Sequence, residues 1–198
     1  MMKKVEIYFD FLSPTSYLAW TQVPRLVERT GATAVWKPMF TIGLHELTDN
    51  RSPMMVPNKA KWIRGDQQLF AKKYRVPLEP NPHGFINILP ADRAAAYAEQ
   101  TGEIEALMKR MFPAMWIEGK DLSNISVLHE IIVSANLNAD EYMTAIESET
   151  VKNRLKANTQ EAADRGAFGA PTFFVGETLF FGQDRIDFVE EALNDLVD

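Results

Sequence analysis

The sequence predicts an α/β protein in which two small strand-containing units, one at each end of the chain, enclose a long helical block. Three observations lead to this prediction. Strand-like segments occur only near the two ends, helical spacing fills residues 41–166, and turn-forming residues separate the elements. Neither terminal unit can close a sheet with both faces covered, so we expect the two units to pack together into one sheet.

The first unit has the order strand, helix, strand. Residues 5–11 form a short apolar run rich in β-formers. Ser13 has the chemistry of a helix N-cap, and Pro14 suits the first helical position, where its missing N–H costs nothing. The helix is predicted to run to about residue 28, and residues 33–36 are predicted to form the second strand.

The remaining elements follow from the same signals. Helical spacing or composition occurs in residues 59–74, 91–100, 104–111, 126–135, 140–148 and 151–165. Strand signals return only at residues 172–175 and 178–181, where Gly176-Glu177 suits a tight turn. A last helix is predicted from Asp184, which makes the C-terminal unit strand, strand, helix.

Composition excludes several classes of function. The net charge is −6 and no basic cluster follows one face, so neither nucleic acid nor an anionic membrane is an expected partner. The chain has no cysteine, which excludes disulfides and a cysteine nucleophile of its own and makes a reduced, cytoplasmic setting the default expectation. No metal site is predicted, because metal-ligand spacing is lacking among His45, His83 and His129.

Four motifs together resemble one family. They are FDFLSPTSYLA at residues 9–19, the segment with Asn50 and Pro57-Asn58-Lys59, MWIEGKDL at residues 115–122, and TQEAADRGAFGAPTFFVGETLFFGQDR at residues 159–185. In this order they are similar to 2-hydroxychromene-2-carboxylate isomerases, which are relatives of the kappa-class glutathione transferases. The resemblance implies a DsbA-like, thioredoxin-like fold, with residues 1–40 and 167–198 in the thioredoxin-like domain and residues 41–166 as a helical insertion.

The resemblance gives Ser13 a chemical role. It implies that Ser13 replaces the redox cysteine of thioredoxin-like proteins and faces the thiol of bound glutathione, so that the ligand brings the sulfur. It also implies that Pro171 is a cis proline and that the backbone of Ala170 binds the cysteinyl part of glutathione. The residues themselves leave simpler alternatives open: Ser13 can be a helix cap, a role compatible with the first, and Pro171 can be a plain strand-entry proline.

Further positions match glutathione contacts of the family. They are Asn50, Lys59, Gln183 and Asp184. Gln183 and Asp184 are expected at the γ-glutamyl end, because a carboxylate suits the ammonium group there, while Lys59 would offset the anionic ligand. The alternatives are that Asp184 is the N-cap of the last helix and that Lys59 is an ordinary surface lysine.

The substrate site is less well defined by the sequence. An apolar pocket can be formed from Phe11, Phe40, Trp62 and Phe85, although core packing explains each of these side chains as well. A substrate carboxylate can be met by Lys59, Arg64 or Arg93, with nothing to rank them. For Trp116, Glu118 and Asp121 two interpretations stay open: contact with the substrate, or helix packing and capping.

The function implied by the resemblance is a glutathione-dependent cis–trans isomerase of 2-hydroxychromene-2-carboxylate or a related aromatic unsaturated acid. Glutathione would be its cofactor, and the family resemblance also implies a homodimer. Two alternatives remain open: a kappa-class-like glutathione S-transferase, and a thioredoxin-like module that binds glutathione or a peptide without catalysis. An isomerase regenerates the thiol, a transferase consumes it, and a binding module makes no product.

Overall fold

The computed structural model describes residues 3–196. Its strands are β1 (Lys4–Phe9), β2 (Thr33–Pro38), β3 (Thr172–Val175) and β4 (Thr178–Phe181). Its helices are α1 (Pro14–Thr30), α2 (Thr41–Leu47), α3 (Pro57–Tyr74), α4 (Leu89–Thr101), α5 (Ile104–Trp116), α6 (Ile125–Ser134), α7 (Ala139–Ala145), α8 (Glu149–Asp164) and α9 (Ile186–Asp195), with 3-10 turns at Pro53–Met55 and Gln183–Arg185. None of the helices in residues 3–196 has the length and apolar character needed to span a membrane.

The four strands form one sheet in the order β2-β1-β3-β4. The central strand β1 runs parallel to β2 and antiparallel to β3, and β4 continues antiparallel to β3. Ile7 in β1 therefore lies opposite Trp36 on one side and Phe173 on the other. The two terminal units share a sheet, and residues 41–166, all of which are described, contain no strand. The predicted fold class, a thioredoxin-like α/β fold with a helical insertion, is confirmed.

The middle of the chain contains one helix more than predicted. Helices α3 to α8 correspond to the six predicted ones, and α5 continues beyond residue 111 to Trp116. The unpredicted helix is α2, whose N-cap residue Phe40 offers no side-chain hydrogen bond. Its first N–H group, on Thr41, instead donates to Asp10 Oδ2 at 2.8 Å. This partner is remote in sequence, so no local capping signal marks the start of α2.

The last helix was predicted from Asp184, with capping as one of the roles left open for that residue, and the structure excludes the cap. Asp184 lies inside the 3-10 turn, and α9 begins at Ile186 after Arg185, whose side chain makes no capping hydrogen bond. The turn is set by Gly182, which has φ 100° and ψ 154°, a conformation favoured by glycine. The N–H of Gly182 donates to the carbonyl of Pro171 at 3.0 Å. The start of the turn is thereby tied to the residue that precedes β3.

A cluster of aromatic rings joins the sheet to the helical block. Phe112 of α5 lies with its ring centroid 4.9 Å from that of Phe11 and 5.8 Å from that of Phe9. All three side chains are fully buried. Phe11 therefore belongs to the core, which is one of the two roles that the sequence left open for it. The indole N–H of Trp116 donates to the Phe11 carbonyl at 2.9 Å, so core packing is the role that the structure gives Trp116.

Candidate active site

Ser13 lies at the N-terminus of α1, immediately after the loop that ends β1. Its backbone is extended, with φ −90° and ψ 111°, and its Oγ accepts a hydrogen bond from Ser16 N at 3.1 Å. Ser13 is thus the N-cap of α1, one of the two roles that its position allows. This cap uses a lone pair of the hydroxyl oxygen, so the hydroxyl proton stays available for another partner.

The peptide bond between Ala170 and Pro171 is cis, as the family resemblance implies, and it faces the start of α1. The carbonyl of Ala170 accepts hydrogen bonds from Ser13 Oγ at 3.1 Å and from Thr15 Oγ1 at 2.9 Å. Within residues 3–196 the N–H of Ala170 donates to no protein acceptor. The loop therefore offers one backbone donor beside Ser13, while its carbonyl is occupied by two hydroxyl groups.

The turn with Gln183 and Asp184 lies next to this loop, because Gly182 bonds to the carbonyl of Pro171. Gln183 is buried, and its carbonyl accepts the hydroxyl of Tyr74 at 2.9 Å. Asp184 is exposed, with Oδ2 3.5 Å from the guanidinium of Arg185. The structure therefore brings Gln183 and Asp184 to the cis-proline loop, which in turn contacts Ser13.

A second carboxylate, which the sequence analysis did not single out, lies near enough to Asp184 for their charges to interact. Burial and the charge of Asp184 raise the pKa of Asp66 on α3. Asp66 is seven residues after Lys59, so both side chains project from one face of the helix. That spacing was the only sequence signal for Asp66. Because the two carboxylates repel each other, a cationic group near them would be stabilised by both charges.

Asn50 is connected to the site through the backbone of the loop before Ala170, and Lys59 makes no hydrogen bond or salt bridge to it in the described part of the chain. The Asn50 amide donates to the carbonyl of Phe168 at 2.9 Å, and its Oδ1 accepts Arg51 N at 2.8 Å. Asn50 thus holds the loop that leads to Ala170. Lys59 lies exposed in the first turn of α3, and in the described part of the chain no hydrogen bond or salt bridge joins it to another site residue.

A polar cavity of about 230 Å³ begins at Gln183 and Asp184. Its other walls come from α1, the end of α3 and the start of α9, and its remaining lining residues are Gln22, Arg25, Arg29, Lys73, Tyr74, Ile186 and Asp187. Burial and the charges of Asp184 and Asp187 raise the pKa of Tyr74 to about 12. The cavity lies along the C-terminal half of α1, and only Gln183 and Asp184 among its lining residues are expected contacts of glutathione.

Two buried carboxyl groups support the loop behind Ser13. Asp10 accepts Leu12 N at 2.7 Å as well as Thr41 N, and Asp92 of α4 accepts Phe11 N at 3.3 Å. Burial raises the pKa of Asp10, and burial together with the charge of Asp10 raises that of Asp92 well above its usual range. These groups fix the backbone before the N-cap. Among residues 3–196 no His, Asp and Glu side chains are grouped so that they can hold a metal ion.

Aromatic side chains near the site differ from those expected. Trp62 and Phe85 are 68% and 71% exposed, and Phe40 is half-buried against the core. The exposed pair beside the cis-proline loop is Phe168 and Phe181, with ring centroids 4.5 Å apart. The sequence did not predict the contact between these two rings, because it forms only when β4 packs against the loop.

Comparisons with known proteins agree with this geometry. The family profile of the DsbA-like thioredoxin domain matches residues 4–194. A 2-hydroxychromene-2-carboxylate isomerase of Sphingobium xenophagum is 33% identical over 198 residues, which cover 98% of this chain and 100% of the relative. The chain belongs to the 2-hydroxychromene-2-carboxylate isomerase family, within the DsbA-like group.

Other relatives place this isomerase family beside the transferases. Glutathione S-transferase kappa 1 of Rattus norvegicus is 26% identical, over 96% of this chain and 91% of the relative. A solved structure of a 2-hydroxychromene-2-carboxylate isomerase aligns with a TM-score of 0.84 and 25% identity, covering 98% of this chain and 95% of that one. The kinship implied by the four sequence motifs is confirmed.

Proposed function

We propose that the protein is a glutathione-dependent cis–trans isomerase of 2-hydroxychromene-2-carboxylate or a related aromatic unsaturated acid. The observation that carries the proposal is the Ser13 hydroxyl at the start of α1, opposite the cis Ala170–Pro171 bond, in a chain without cysteine. A thioredoxin-like site of this kind has a loop that can bind a thiol compound but has no cysteine of its own. We propose that a small thiol ligand supplies the sulfur.

The described residues fit glutathione at three points. The Ala170 N–H, which has no protein acceptor in residues 3–196, suits the cysteinyl carbonyl. The carboxylates of Asp66 and Asp184 suit the γ-glutamyl ammonium group. Ser13 and the first N–H groups of α1 suit a thiolate, because a hydroxyl donor and a helix N-terminus both stabilise negative charge. Lys59 and Asn50 are proposed to contact the same ligand by family resemblance.

When bound, glutathione supplies a thiolate that can add reversibly to a carbon–carbon double bond, which makes that bond single and free to rotate. The task of the protein is to hold the thiol in its ionised form beside the substrate. A thiol of pKa ~8.5 is only about 3% ionised at pH 7, and lowering the pKa by about two raises that fraction roughly 25-fold. Nucleophilicity falls about 6- to 10-fold over the same range. Orientation of the two reactants must therefore contribute more than ionisation.

The test follows product and free thiol together. Full-length protein freed of small thiols receives the cis acid, first without glutathione and then with glutathione at well below the substrate concentration. We expect no turnover at first, and then many turnovers per thiol with an unchanged thiol titre. Full activity without glutathione contradicts the mechanism. Loss of one thiol per product selects the kappa-like transferase, and binding without product selects the non-catalytic module.

Replacing Asp184 by asparagine tests the proposed ligand contact. Because Asp184 does not cap α9, the change leaves the helix ends unaltered and removes one charge. We expect glutathione affinity, measured by calorimetry, to weaken by about 1–3 kcal/mol through loss of a charge-assisted hydrogen bond. The matched control is Asp187→Asn, which removes the same charge from the same cavity wall. Equal effects of the two variants, or none, would show that Asp184 makes no direct contact.

Two further parts of the proposal concern the setting of the protein. A reduced compartment such as the cytoplasm keeps glutathione in its thiol form, which this mechanism requires. The homodimer follows from family resemblance and stays a prediction, which sedimentation analysis of the full chain can check.

A further inference from the structure

Three oxygen atoms meet where α1 faces the cis-proline loop. Ser13 Oγ lies 2.8 Å from Thr15 Oγ1 and 3.1 Å from the carbonyl oxygen of Ala170. Thr15 Oγ1 lies 2.9 Å from the same carbonyl oxygen. Every pair is within hydrogen-bonding distance, so the three atoms form a closed figure, which we call the oxygen triangle.

The oxygen triangle has three sides but only two protons. The Ala170 carbonyl can only accept, and each hydroxyl group carries one proton. Ser13 Oγ accepts Ser16 N with one lone pair, so it retains a second lone pair and its own proton. Rotation of the two hydroxyl groups can redistribute the protons while the backbone stays in place. One arrangement has Thr15 donating to Ala170 and leaves the Ser13 proton free to point at a ligand.

The presence of Thr15 decides whether that arrangement is favourable. Ala170 is buried, and within residues 3–196 its carbonyl accepts from the hydroxyl groups of Ser13 and Thr15 and from no other side chain. If Thr15 had no hydroxyl, turning the Ser13 proton toward a ligand would leave this buried carbonyl unpaired. Because an unpaired buried acceptor costs free energy, the Ser13 proton would then stay directed at the Ala170 carbonyl.

We propose that Thr15 is a positioning residue that takes over the Ala170 carbonyl and so releases the Ser13 proton to the thiolate of bound glutathione. The inference rests on the proposed function and adds to it a residue that acts through Ser13. Thr15 thus raises the fraction of glutathione held as thiolate, and it does so without a contact to the acidic substrate.

The titratable groups on the neighbouring elements do not belong to the oxygen triangle. They lie behind the loop, on α3 and on the C-terminal turn, and they are Asp10, Asp92, Lys59, Asp66 and Asp184. In the described part of the chain none of them bonds to the hydroxyl of Ser13 or Thr15. They are unchanged in a Thr15 variant, so a comparison with the wild type isolates the effect of the one hydroxyl.

The test measures the pKa of the bound thiol directly. The ultraviolet absorbance of thiolate is titrated against pH for full-length protein with glutathione, and calorimetry gives the affinity in parallel. Thr15→Val keeps the branched shape and removes the hydroxyl, and we expect the thiolate fraction on the acid side of the titration to fall about fivefold, as for the loss of one neutral hydrogen bond. Thr15→Ser restores the hydroxyl and is expected to restore the pKa. Thr15→Ala is a second hydroxyl-free variant in case the valine variant folds poorly.

The outcomes separate this inference from the proposed function. A raised thiol pKa in the hydroxyl-free variants, with recovery in Thr15→Ser, supports the role of Thr15. If these variants bind glutathione with the wild-type thiol pKa, this inference is overturned and the proposed function stands; a merely structural role gives that result, with losses that do not change with pH. A wild-type protein that binds no glutathione, or leaves its thiol pKa unaltered, overturns both.

Discussion

Replacing Ser13 by alanine is expected to lower kcat/KM for the isomerisation roughly 10- to 150-fold while the protein stays folded. The hydroxyl is proposed to donate to a thiolate, and hydrogen bonds to charged groups contribute about 1.5–3 kcal/mol, which corresponds to that range. Loss of the α1 cap should lower the free energy of unfolding by only about 1 kcal/mol. Steady-state kinetics at saturating glutathione and urea unfolding measure the two effects separately.

Two serine variants serve as matched controls for this experiment. Ser148 caps α8 through the same kind of contact, with Oγ accepting Val151 N at 3.3 Å, so Ser148→Ala should lose similar stability and no activity. The hydroxyl of Ser16 lies one turn from Ser13 and has no hydrogen-bond partner within residues 3–196, so Ser16→Ala should change activity little. Near-native turnover by folded Ser13→Ala protein would remove Ser13 from the mechanism.

Replacing Phe112 by alanine is expected to lower the free energy of unfolding by about 3–5 kcal/mol. This is a large share of the roughly 5–15 kcal/mol typical of folded domains. The ring is fully buried and lies among Phe9, Phe11, Tyr17 and Trp20, with centroid distances between 4.9 and 6.1 Å. Urea unfolding gives the loss, and Phe112→Leu, which retains most of the buried apolar volume, should lose clearly less.

The same variant tests whether residues 41–166 form a separate domain, as the sequence reading predicts. Phe112 belongs to that segment, yet its ring packs against β1 and α1. We therefore expect circular dichroism, which reports chiefly the helices, and tryptophan fluorescence to follow one coincident transition. Two separate transitions, one of them unchanged by the substitution, would instead identify an insertion that unfolds independently.

The local signals in the sequence were sufficient for most of the fold. The Ser13-Pro14 junction and the apolar runs around it located β1 and α1, since capping and propensity act over a few residues. The start of α2 was missed because its donor bonds to Asp10, which is distant in sequence. Capping by Asp184, one of the roles left open for that residue, does not occur because Gly182 sets a 3-10 turn before the last helix.

Only part of the candidate site could be predicted from the sequence, because some of its contacts join segments that are distant in sequence. Motif resemblance pointed to Ser13 and Pro171, since these positions define the start of a helix and a loop. Thr15 and Asp66 carried no such signal. The role proposed for Thr15 depends on a carbonyl from the other end of the chain, 2.9 Å away, and that proposed for Asp66 depends on its charge interaction with Asp184. Contacts between distant segments cannot be read from local spacing.

The position of β1 in the sheet has a consequence for how the chain is made. β1 is synthesised first, and β2 follows soon afterwards, but its other neighbour is β3 at Thr172–Val175. At about 5–20 residues per second, one edge of β1 waits roughly 10 to 30 seconds for that partner. An open strand edge is a template for wrong pairing, and Ile7 and Phe9, buried in the finished protein, lie along it. The nascent chain, rather than the native state, is therefore the form in which this strand edge is open to wrong pairing.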